Sequence, residues 1–221
     1  TVRLRYAHVL GMLGDGTGVE TLIQAVAKAQ WDKGYNFSGF GNHQPTTSPL
    51  DDLIIALGRT GDARAMDALI EKARQLTPAS DFSHCRALAI AFESIRDPRA
   101  AEPLARLLRM PGVGGHAFRE IQDVIQRTPG GLGDNTTRNV SLRELILARA
   151  LYRCGDHEGL GKNTLKAYRT DFRGHYATHA RAILRSEEHT SELQSLTNLV
   201  FRLMNGNRGC GGGGGGGGGW G

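Results

Sequence analysis

The chain has 221 residues, 22% charged and 39% hydrophobic, with a formal net charge of +5. That length fits one or two domains. Residues 1–184 hold 24 Lys and Arg against 19 Asp and Glu, spread without a block of like charge, which argues against a dedicated nucleic-acid binder. No run of about 18 apolar residues occurs, so no membrane-spanning helix is expected. No basic-then-apolar leader opens the sequence, which starts at Thr1 inside a helical pattern and reads as having lost its native N-terminus. Cys85 and Cys154 form neither a disulfide framework nor a zinc-binding spacing, and both are expected to be buried thiols.

A short signature recurs along the chain: an apolar helical stretch, a turn, an aspartate, then a second helical stretch. It reads LGMLGD at Leu10–Asp15, LGRTGD at Leu57–Asp62, FESIRD at Phe92–Asp97 and LYRCGD at Leu151–Asp156, with the aspartates 47, 35 and 59 residues apart. The shortest spacing is near that of a bare two-helix repeat, so the longer ones imply insertions of about 12 and about 24 residues. Gly14, Gly61 and Gly155 are expected to close helices in the left-handed conformation, which glycine adopts without strain. Asp15, Asp62, Asp97 and Asp156 can then accept hydrogen bonds from free N–H groups at the next helix start. Arg96 stands where glycine is expected, which predicts a different geometry for that turn, and Pro98 suits a first helical turn.

The apolar stripes have helical spacing. In chain order they are Val2, Tyr6, Val9, Leu10 and Leu13, then Val19, Leu22, Ile23 and Val26. Next come Leu53, Ile54 and Leu57, then Met66, Leu69 and Ile70. Ala87, Ala91 and Ile95 precede Ala101, Leu104, Leu107 and Leu108. Last, Leu142, Leu145, Ile146 and Leu151 precede Leu160, Leu165 and Tyr168. A single pair cannot cover its own stripe, so neighbouring pairs must stack. The expected fold is all-α: a right-handed HEAT-like solenoid of about four helical hairpins, with two inserted loops and a disordered glycine tail.

Both insertions follow the second helix of a pair and so should emerge on one edge. The first, Gln30–Ser48, places Trp31, Tyr35, Phe37 and Phe40 among glycines. With Asn36 and His43, these are the candidate interface residues, since aromatics in such a loop can anchor a partner. The other reading is that they cap the local core. The segment has no GxGxxG, no preceding strand and no acidic residue at the expected distance, so nucleotide binding is not expected. In the second insertion, Pro111–Asn139, residues His116–Arg127 suit a short helix with Ile121, Val124 and Ile125 on its apolar side. The glycines Gly130, Gly131 and Gly133 read as a flexible connection, without the lysine of a phosphate loop. His175 and His179, four apart, are a possible metal pair, but the flanking Arg173 and Arg181 would repel a cation. Cys154, Asp156 and His157 suggest a thiol–imidazole pair, yet the turn signature already accounts for Asp156. No catalytic, cofactor-binding or metal residue is assigned.

Two resemblances complete the reading. RSEEHTSELQS at residues 185–195 resembles a translated sequencing adapter. LTNLVFRLM continues it, and the run Gly211–Gly219 resembles translated guanine calls. Residues 185–221 are therefore expected to be non-native. Leu193, Leu196, Leu199, Val200 and Leu203 keep helical spacing but carry no functional weight. Within residues 1–184, the stretches SPLDDLIIALGRTGDARAMDALIEKARQL, DFSHCRALAIAFESIRDPRAAEPLARLL and RNVSLRELILARALYRCGDHEGLG resemble the C-terminal helical-repeat region of bacterial FAD-dependent oxidoreductases. The resemblance implies that FAD and the redox chemistry belong to an N-terminal flavin domain absent from this sequence. It also implies that this region packs on that domain or on a partner protein. A stand-alone HEAT-repeat interaction module is the rival reading, and a helical-repeat lyase acting on bilins is a third.

Overall fold

The computed structural model describes residues 2–36, 48–128 and 136–187. Expectations for Phe37, Phe40, His43, the Gly130–Gly133 stretch, the 193–203 helical spacing and the glycine run lie outside the described residues. The chain divides into a unit Thr1–Ile183 and a unit Leu184–Gly221, and in the second residues 184–187 are helical.

Among the described residues the protein is all-helical, with no strand. The helices are α1 (Val2–Met12), α2 (Val19–Lys28), α3 (Pro49–Arg59), α4 (Met66–Gln75), α5 (Phe82–Ile95), α6 (Ala101–Leu108), α7 (Ile121–Arg127), α8 (Thr136–Arg153) and α9 (Leu160–Tyr168). A tenth, α10, starts at residue 174. Short 3-10 turns at Gly16–Gly18, Ala63–Ala65 and Pro98–Ala100 lead into α2, α4 and α6.

The first helices of the four sequence pairs pack in a row, α1 on α3, α3 on α5, and α5 on α8; the second helices α2, α4 and α6 pack in another. Small residues set the spacing of the first row. A side chain on Gly11 would lie 2.7 Å from the Ala56 carbonyl oxygen, and one on Gly58 would lie 2.2 Å from the Ala91 Cα. Absence of a Cβ therefore lets the backbones approach where a side chain would hold them apart. At the matching place in α5 stands Glu93, which instead reaches Arg149 of α8 at 2.5 Å and Arg153 at 3.4 Å.

The predicted stripes of α2 to α6, α8 and α9 are largely buried, with Leu22, Leu57, Met66, Leu69, Ala91, Leu104, Leu145, Leu151 and Leu165 at its centre. The first stripe is the correction. Val2, Tyr6, Val9 and Leu13 are exposed, and α1 buries Ala7 and Gly11 instead. Spacing defines an apolar face but not whether a neighbour stands against it.

The turns follow the sequence closely, with two changes. Gly14, Gly61 and Gly155 have φ of 82°, 67° and 97°. The Asp15, Asp62 and Asp97 carboxylates accept from the N–H of Thr17, Arg64 and Arg99. Arg96 takes the left-handed conformation of its glycine counterparts at φ 56°, but its N–H bonds the Phe92 carbonyl four residues back, where Gly14 and Gly61 bond three back, so α5 runs one residue nearer its aspartate. A second departure lies in the fourth turn, where Asp156 is itself left-handed at φ 59°. There the carboxylate accepts from the N–H groups of His157, Gly161 and Lys162 and so reaches past the turn into α9.

Candidate interaction surfaces

The first insertion is tied down by the start of α5. The N–H groups of Gly34 and Tyr35 donate to the Asp81 carboxylate and the Ser83 hydroxyl, each at 3.0 Å. Ser83 N–H donates back to the Tyr35 carbonyl at 3.1 Å. The Asn36 amide donates to Asp81 at 2.6 Å and accepts from the Phe82 N–H at 2.9 Å. Trp31 lies 4.5 Å from the His84 ring and Tyr35 lies 6.1 Å from the Phe82 ring. Of the predicted interface residues, Trp31, Tyr35 and Asn36 thus share one small region, Tyr35 and Asn36 by hydrogen bonds to the start of α5 and Trp31 by packing on His84. These contacts are those of a cap on the local core, with Asn36 left exposed at its edge.

The sequence reading missed what holds this cap. His84 is 4% exposed; its Nδ1 lies 2.8 Å from the Asp51 carboxylate and its Nε2 lies 3.1 Å from the Asp32 carbonyl. Burial alone would disfavour the charged ring, but the Asp51 hydrogen bond and charge, with that of Asp81, hold its pKa above the ordinary value. Trp31 Nε1 and Asp51 Oδ2 are buried without a hydrogen-bond partner. Such groups cost about 1–3 kcal/mol each, so this node is held by the rest of its bonds. The available signal was the polar run Asp81, Ser83 and His84 opening an otherwise apolar helix.

The second insertion is anchored in the same manner. The buried Glu144 carboxylate accepts from the N–H groups of Gly115 and His116 and from the Tyr168 hydroxyl, each at 2.8 Å. Asp171 accepts from the Phe118 N–H, and the Arg173 guanidinium covers the Phe118 ring at 3.9 Å. These contacts keep residues 116–120 out of the helix expected there, which spans Ile121–Arg127 only. Its expected apolar side is also open, with Ile121 and Ile125 exposed.

One groove of about 420 Å³ is lined by α5, α8 and α10. Its floor is apolar, with Phe82, Ile90, Leu142, Leu145, Ile146 and Tyr176, and its rim carries Arg86, Arg149, His175 and His179. His175 and His179, the possible metal pair, both line this groove. Burial and the charges of Arg149 and Arg153 push the His179 pKa down, which favours a neutral ring. No group of three His, Cys, Asp or Glu side chains suited to a metal ion exists among the described residues.

The thiols have structural roles. Burial pushes the Cys85 pKa up to about 11 and that of Cys154 up to about 12, so both are neutral near pH 7. The Cys154 thiol donates to the Phe92 carbonyl, and Asp156 is occupied at α9, so the thiol–imidazole arrangement does not form.

The repeat junctions do not suit the pyrophosphate of FAD. A dinucleotide pyrophosphate binds at free backbone N–H groups of a helix start. At the starts of α2, α4, α6 and α9 the N–H groups already bond Asp15, Asp62, Asp97 and Asp156, whose charges would repel phosphate. Among the described residues no helix is long and apolar enough to cross a membrane. No family model matches the chain, and neither a curated protein nor a solved structure does.

Proposed function

We propose that residues 1–184 form a HEAT-like solenoid of four helical hairpins that serves as a scaffold for another protein surface, with no chemistry of its own. The observation that carries this reading is the repeated junction. A left-handed residue is followed by an aspartate cap at three places in one register, Gly14–Asp15, Gly61–Asp62 and Arg96–Asp97, and the helices before these junctions pack in one row. Such rows extend a surface in one direction, which is how repeat proteins present binding faces.

The resemblance of residues 48–76, 81–108 and 138–161 supports a parent FAD-dependent oxidoreductase of bacterial type. Its flavin domain holds the cofactor, and this region packs on that domain. Residues 185–221 are adapter-derived letters. Sequencing the source DNA on both sides of the region tests all of this. The expected result is a strand–GxGxxG–helix unit upstream and genomic coding that departs from the given letters after Leu184. An upstream frame that opens with a start codon and a polar capping helix instead favours the stand-alone module. Purified protein is expected to be colourless, and stoichiometric flavin absorbance would overturn the scaffold reading.

A further inference from the structure

The register of the helix row shows what the exposed face of α1 is built to meet. Aligning the turn aspartates pairs Gly11 with Gly58 and Glu93, and pairs Val9 with Ala56, Ala91 and Ala150. The first set faces forward: Gly11 lies on Ala56, Gly58 lies on Ala91, and Glu93 reaches Arg149 beside Ala150. The second set therefore faces backward, toward the preceding helix of the row. Ala56, Ala91 and Ala150 are each 0% exposed because that helix is present. Val9 holds the backward position in α1 and is 55% exposed, flanked by Val2 at 68%, Tyr6 at 69% and Leu13 at 79%. The matching neighbours of Tyr6 in the third and fourth pairs, Leu88 and Leu147, are 0% exposed, and that in the second pair, Leu53, is half-buried.

Four large apolar side chains on one helical face, centred on a Val9 register that is buried in every later pair, are a contact surface lacking its partner. We infer that this face of α1 is the docking site for one further helical hairpin of the same repeat kind, lying ahead of Val2 in the same polypeptide. That hairpin presents a small residue at its forward position opposite Val9. The occupant is specified by continuity with the α1–α3–α5 packing. The inference rests on the repeat reading above and adds to it a surface and an occupant.

The chain supplies its own probe. Residues 48–82, placed directly ahead of Thr1, keep the register, since residue 83 matches Thr1. In this fusion the copy of Gly58 comes to face Val9. The full chain and the fusion are compared by thermal unfolding, by hydrogen exchange of the α1 amides and by analytical ultracentrifugation, each with and without Val9→Asp. The fusion is expected to be monomeric, to melt several degrees higher, and to slow α1 exchange at least tenfold. Val9→Asp should leave the original chain unchanged and abolish both gains in the fusion. If α1 exchange is no slower in the fusion, or if Val9→Asp destabilises the original chain, the docking face is refuted. An original chain that dimerises, and is dispersed by Val9→Asp, assigns the face to a second copy and also refutes it. Failure of the repeat reading is distinct, since it would show as fast exchange at Ala56 and Ala91 within the original chain.

Discussion

Gly58 and Gly16 show how differently two glycines of one chain are constrained. A methyl at Gly58 would overlap the Ala91 backbone of α5, whereas nothing lies within 4 Å of one at Gly16. Gly58→Ala is expected to cost about 1–3 kcal/mol by overpacking, while Gly16→Ala is expected to be neutral or slightly stabilising by restricting the unfolded chain. Urea midpoints of the two variants check this. Arg96 provides the converse case. Its left-handed backbone at φ 56° is strained for a residue with a Cβ, so Arg96→Gly should raise stability by up to about 1 kcal/mol. His84 adds a pH dependence. Its folded pKa is raised above 6.5, so its contribution is complete below that value and is lost as pH rises through the folded pKa. Urea midpoints should fall across the neutral-to-alkaline range, and His84→Gln should flatten that decline. Neither the Gly58 contact nor the His84 pairing was legible in the sequence, because each depends on which backbone or carboxylate stands opposite.

At the scale of elements, the aspartate caps were legible because a cap is a local device, made by a side chain and N–H groups two residues on. Asp62→Ala and Asp97→Ala should each cost about 1 kcal/mol, read from the shift in urea midpoint. Side-chain hydrogen bonds from Arg64 and Arg99, then backbone N–H groups, hold both carboxylates below the ordinary 3.8. Their stabilisation is present above that value and disappears as pH falls through the lowered pKa, so the double variant should show a shallower loss of stability in acid. Helix existence was legible for the same local reason. The extent of α7 was not, because Glu144 and Asp171, distant in sequence, claim the N–H groups of Gly115, His116 and Phe118. The first insertion was ambiguous for a like reason: its aromatics alone do not reveal that Asp81 and Ser83 will bind its backbone.

At the scale of the whole molecule, the row of first helices carries the core, and Leu57, fully buried in α3, lies at its centre. Leu57→Asp places an unpaired charge there and is expected to unfold residues 2–183, seen as loss of helical circular dichroism at room temperature. The groove between α5, α8 and α10 also belongs to this scale. Arg86, Arg149, His175 and His179 come from three helices and become one rim only when those helices assemble.

By itself the sequence determined the all-helical class, the places where helices break and the aspartates that restart them. These follow from periodicity and from interactions spanning a few residues. Tertiary structure alone decided which apolar stripes are covered, and that Trp31 and Asn36 close on His84 and Asp81. Those outcomes depend on groups brought together from far along the chain, and the free energy of such contacts does not exist until the helices have packed.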